Sequence, residues 1–104
     1  MIARVWRGLA LREKVGGYLE HLRKTVFPEL KQIDGYRGAY VLRRDLPDGV
    51  EITVQTLWES MDAIGKFAGQ DMTAAVVAPA AQPLFHSFDA AVTHYEILLK
   101  DCKD

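Results

Sequence analysis

The chain has 104 residues, 13 Lys and Arg against 14 Asp and Glu, and a formal net charge of −1. That length suits one domain rather than two, and the balanced charge argues against a nucleic-acid or anionic-membrane surface as main partner, since phosphate binding draws on a basic excess. The 49% apolar content argues against disorder, and no apolar run reaches the ~18 residues of a membrane-spanning helix.

Charges at Arg4, Arg7, Arg12 and Glu13 leave no signal-peptide pattern at the N-terminus. Ile2 to Leu9 reads as a strand, favoured by Val5 and Trp6 and loosened at its end by Gly8. From about Leu11 the period becomes helical. Val15, Tyr18, Leu19, Leu22 and Val26 form one apolar stripe, with Glu13, Glu20, Arg23 and Lys24 on the wet face. Gly16-Gly17 inside this helix costs about 1 kcal/mol per glycine relative to alanine. The pair implies either tight packing against a neighbour or room for a ligand.

Pro28 disfavours helix at Phe27, so the helix ends or kinks near Thr25 to Phe27, and a short turn restarts over Pro28 to Ile33. Asp34-Gly35 is a turn. Tyr36 to Arg44 and Val50 to Trp58 form a hairpin across Leu46-Pro47-Asp48-Gly49, where Pro sets φ and Gly accepts positive φ. Alternation puts Val50, Ile52, Val54, Thr56 and Trp58 on one face, and Tyr36 with Tyr40 on another.

Ser60 is a good N-cap for a second helix whose stripe is Met61, Ile64, Phe67 and Ala68, and Gly69 ends it. Gln70 to Phe85 is Ala-rich with Pro79 and Pro83. One or two short helical turns are expected there, the first capped by Asp71. His86 or Ser87 to Leu99 reads as one long strand, followed by a charged tail, Lys100 to Asp104.

The order β-α-β-β-α-β is the ferredoxin-like pattern, an α+β fold with helices on one face of a four-stranded antiparallel sheet. Residues 1–99 make the single domain. The last strand is apolar on both faces, with Ala91, Tyr95 and Ile97 against Val92 and Leu98. A sheet apolar on both sides buries both, which implies a homodimer packed sheet to sheet.

Cys102 is the only cysteine, so no intrachain disulfide forms and a reduced, cytoplasmic setting is the default. His21, His86 and His94 lack metal-ligand spacing. Nucleotide, nicotinamide and protease motifs are absent from the sequence.

The residues Arg4 to Gly8, Asp34 to Arg44, Thr56 to Ile64, Phe67-Ala68-Gly69, Ala75 to Pro79 and His94-Tyr95-Glu96 carry a resemblance. Together the chain, from about Ile2 to Leu98, resembles the antibiotic biosynthesis monooxygenase family of the dimeric α+β barrel superfamily. The resemblance implies a pocket in each subunit between sheet and helices. It also implies oxygenation of polycyclic phenols or quinols without metal or flavin. A haem-degrading branch uses an Asn on the first strand, a Trp on the second helix and a His after it. The matching positions here hold Trp6 or Arg7, Phe67, and Val77 or a near neighbour. Haem degradation of that kind is therefore disfavoured.

Cofactor-free oxygenation needs a base, donors that stabilise a substrate anion, and an apolar cavity that excludes water. His94 and His86 are the candidate bases. Alternation puts His94 with Val92 and Glu96 on one face of the last strand; which face meets the helices is open. Arg4 and Trp6 share a strand face and could hold an anionic oxygen. Tyr36, Tyr40, Trp58 and Phe67 are candidate substrate contacts, each with a competing reading as core or dimer seam. Two functions follow: a cofactor-independent monooxygenase acting on a planar phenolic or quinol-like molecule, or a ligand-binding or stress-associated dimer without turnover.

Overall fold

The computed structural model describes residues 1–103; Asp104, the last residue of the expected tail, lies outside them. Strand β1 (Ile2–Ala10) pairs antiparallel with β3 (Gly49–Trp58) along its whole length, from Ile2 opposite Trp58 to Ala10 opposite Val50. Strand β2 (Tyr36–Leu46) flanks β3, and β4 (Phe85–Phe88) and β5 (Thr93–Glu96) share the far edge of β1. The sheet thus has five strands but is four positions wide, and the ferredoxin-like order holds.

The expected single last strand is two strands. After Asp89, whose N–H still donates to Arg7 O, the chain leaves the β1 ladder over residues 90–92. Its backbone pairs instead with the segment before it: Ala75 N–H donates to Ala90 O, Val92 N–H to Thr73 O, and Ala74 bridges Ala91. Backbone groups satisfied locally in this way have no need of the ladder. Of the one or two helical turns expected over Gln70 to Phe85, one forms, at the end of the segment; the rest is turns and irregular chain. Asp71 caps a side-chain turn at Thr73, and only Gln82–Leu84 forms a 3₁₀ turn.

After a 3₁₀ turn (Arg12–Lys14), helix α1 (Val15–His21) runs through a π-turn (Leu22–Val26) into α2 (Phe27–Leu30). Of the end or kink expected before Pro28, the helix does not end; a π-turn interrupts its regular winding there. Phe27 N–H reaches back five residues to Leu22 O, and this wider turn accommodates the proline where a regular one would clash. A Cβ on Gly16 or Gly17 meets no atom within 4 Å, so neither glycine serves tight packing. At Gly8 the reverse holds: β1 continues past it, and a Cβ there would lie 2.8 Å from the Phe85 ring. Helix α3 (Met61–Ala68) is capped as expected, Ser60 Oγ accepting from Ala63 N–H at 3.2 Å.

Even-numbered residues of β1 and β3 face the helices and build two apolar clusters. One centres on Trp6, with Tyr18, Leu22, Ile52 and Phe85; the other joins Leu30, Trp58, Ala63 and Ile64. The opposite sheet face has no helix over it, and Tyr40, Leu42 and Tyr95 on it are about half exposed. Tyr36 and Tyr40 do not share a face. A bulge at Arg37 sets Tyr36 opposite Trp58 but Gly38 opposite Leu57, which turns Tyr40 outward.

Candidate functional site

A cavity of about 80 Å³ lies between the sheet and the helical run, where the two clusters meet. Strands β1 and β3 supply Arg4, Trp6, Val54 and Thr56; the helices supply Tyr18, His21, Leu22, Val26, Phe27, Leu30 and Phe67; residues 76–78 with Ala81 and Val92 close the wall. The surface is mostly apolar, and its titratable members are Arg4, Tyr18 and His21.

Arg4 is 4% exposed. Its Nη1 donates to Met72 O at 2.6 Å and Nη2 to Ala74 O at 2.8 Å. A further Nη1 contact reaches His94 Nε2 at 3.1 Å, and the guanidinium carbon lies 5.7 Å from the Phe67 ring centroid. Among the described residues no carboxylate pairs with Arg4, whereas six other ion pairs form on the surface. Burial pushes its pKa down. These contacts use three of the five N–H groups that a guanidinium carries. A buried cation with two N–H groups left without a protein acceptor, beside an apolar surface, has the chemistry to attract an anion.

Because arginine has no acceptor, His94 Nε2 must accept, so the His94 proton sits on Nδ1 and the ring is neutral. Burial and the Arg4 charge both lower the His94 pKa. His94 stands opposite Arg4 on the β1–β5 ladder and forms no part of the cavity wall.

The other expected contacts divide. Phe67 and Trp6 line the cavity. Neither indole N–H is free for a ligand, because Trp6 Nε1 donates to Asp89 O at 2.9 Å and Trp58 Nε1 to Thr56 Oγ1 at 2.8 Å. Trp58 is fully buried in the second cluster, packed on Tyr36 and Phe67, and neither it nor Tyr36 borders the cavity. Tyr40 lies on the outer sheet face, and His86 is exposed at the start of β4, away from the cavity. His21 was missed as a candidate. Its position three residues after Tyr18, at the edge of the helical stripe, is the signal that marks it.

No family model and no curated protein matches the sequence. Solved structures do match along nearly the full length. A provisionally assigned antibiotic biosynthesis monooxygenase from Bacillus cereus superposes with TM-score 0.65 at 14% identity, over 100% of this chain and 97% of that one. The chain has the fold of the antibiotic biosynthesis monooxygenase structures. Rv0793 from Mycobacterium tuberculosis shares it with TM-score 0.62 at 20% identity, covering 97% and 98% of the two chains. So does an MhuD variant with two manganese protoporphyrin IX molecules bound per active site, with TM-score 0.63 at 20% identity over 99% and 100%.

Phe67 and Val77, at two of the positions expected to differ from the haem-degrading branch, both line the cavity and offer neither an indole nor an iron ligand; the imidazole in its wall is His21. Among the described residues no group of three His, Cys, Asp or Glu converges on a metal site. No helix is long and apolar enough to cross a membrane.

Proposed function

We propose that this chain is a homodimeric, cofactor-independent monooxygenase of the antibiotic biosynthesis type, acting on a planar phenolic or quinol-like molecule in the Arg4 cavity. The observation that carries the reading is Arg4 itself, a buried cation on the cavity wall with no carboxylate partner among the described residues and two N–H groups without a protein acceptor. Such a site stabilises a phenolate or enolate, and an electron-rich anion of that kind reduces dioxygen directly. For a benzylic methylene flanked by phenols the balance is CH₂ + O₂ → C=O + H₂O, with dioxygen as the oxidant. The mostly apolar wall limits the water that reaches the reactive anion.

The outer sheet face supports the dimer. Tyr40, Leu42 and Tyr95 are exposed beside Ala3, Val5 and Ile97, and Arg44 is paired to Glu51 at 2.9 Å on the same face. A second copy would bury this surface, as apolar faces of that kind require. The setting of such a dimer is cytoplasmic in this reading, because the only cysteine, Cys102, is unpaired.

One observation favours the second reading, a ligand-binding dimer without turnover. The cavity of about 80 Å³, partly open to solvent, is smaller than a tricyclic phenol, so its wall must give way to seat one. The segment at 76–78, which carries no regular structure, is the wall able to move. Oxygen uptake with an anthrone separates the readings: turnover that falls at least tenfold in Arg4→Met supports the oxygenase, and binding without uptake supports the alternative.

A further inference from the structure

We infer that His21 is the group that takes the proton from a phenolic ligand in the Arg4 cavity. The inference deepens the proposed function and rests on its reading of the cavity as a phenol site.

Three titratable side chains line the chamber. Arg4 stays protonated and has no lone pair to offer. Burial pushes the Tyr18 phenol far up, so it remains neutral and is no base. The Thr56 hydroxyl is held by the Trp58 indole. That leaves His21, and imidazole is the side chain that exchanges a proton near neutral pH.

The geometry suits the role. His21 is half-buried and stacks on Tyr18, with ring centroids 6.3 Å apart and planes 30° from parallel. Tyr18 is itself fixed edge-on to Phe85 at 4.8 Å, so the imidazole rests on an ordered aromatic support. Among the described residues no protein group hydrogen-bonds either His21 nitrogen, whereas His94 Nε2 is already occupied by Arg4. His21 also closes α1 immediately before the π-turn, and such turns recur at functional positions.

The step balances within the chamber. The ligand O–H bond breaks, an N–H bond forms at a free His21 nitrogen, phenol becomes phenolate and imidazole becomes imidazolium. The net charge of the site stays +1, now spread over Arg4, His21 and the anion between them.

The test uses 2-naphthol, whose ionised form has its own absorbance band. Arg4 by itself lowers the pH at which bound naphthol ionises, so the base is read from where the proton goes. In wild type, in weak buffer with an indicator dye, the naphtholate band should rise on binding with little proton release, because His21 keeps the proton. His21→Gln should bind naphthol and release about one proton to the dye for each naphtholate formed, because glutamine cannot hold it. His21→Ala, at a helical position that alanine suits, should release it likewise. A His21→Gln complex that forms naphtholate with no more proton release than wild type overturns the inference while leaving the phenol site intact. A wild-type complex that binds naphthol but never ionises it also overturns the inference alone. A wild-type protein that binds no naphthol overturns the phenol site and the inference with it.

Discussion

Arg4 and His94 face one another across the β1–β5 ladder, and their 3.1 Å contact has only one possible direction. The guanidinium donates and the imidazole accepts. This fixes His94 in its neutral form and makes it a support for Arg4 rather than a free base.

That contact gives the stability of the fold a pH dependence. The folded-state pKa of His94 is depressed, so the unfolded chain binds the proton more readily. Stability is complete above the unfolded value of about 6.5 and falls as pH drops below it, levelling off under the folded pKa. Urea midpoints between pH 8 and pH 5 should show this decline in wild type. In His94→Gln the decline over that interval should shrink.

Arg4 has a structural share as well. It ties Met72 and Ala74 to β1, and so holds the start of the wall segment. Arg4→Met strips donors from both carbonyls and should destabilise the protein by on the order of 2 kcal/mol. Arg4→Lys keeps the charge but loses the fork, and should fall between the two. Denaturation curves of the three proteins check the order.

Two glycines should respond in opposite directions. Gly17 sits in α1 with open space where a Cβ would go, and its φ is not positive. Gly17→Ala should therefore stabilise by roughly 0.5–1 kcal/mol. Gly8→Ala would push a methyl into the Phe85 and Trp6 rings and should cost roughly 1–3 kcal/mol. Thermal melting distinguishes the two signs.

The exposed apolar face predicts the assembly. Leu42→Glu and Tyr95→Glu each place a charge where a second copy would pack, and should shift sedimentation from dimer to monomer without changing helix content. A wild-type protein that sediments as a stable monomer at micromolar concentration would contradict the sheet-to-sheet dimer.

The residues made most of the scaffold legible. Period-two alternation in β3, the Ser60 cap and the Gly69 stop all appear where the pattern puts them. The misses have two causes: local backbone devices that periodicity does not show, and pairing with a segment distant in sequence. Pro28 does not end its helix because the π-turn absorbs it. Tyr36 and Tyr40 part company through one unpaired residue, Arg37, that no periodicity reveals. The last strand breaks because Ala90 to Val92 find partners at Thr73 to Ala75.

The site was legible in its composition and not in its geometry. Arg4, Trp6 and Phe67 were named from the strand face and helix stripe, and all three line the cavity. The indole donors were spent on Asp89 and Thr56, choices that depend on folded neighbours. His21 went unnamed because its own segment reads as ordinary amphipathic helix.

The most direct measurement is the affinity of 2-naphthoate against its neutral isostere 2-naphthamide, by calorimetry, in wild type and Arg4→Met. A charge-assisted hydrogen bond contributes about 1.5–3 kcal/mol, so wild type should prefer the anion by at least about tenfold. Arg4→Met should bind the two alike. Equal affinities in wild type would contradict a cavity built around an unpaired cation.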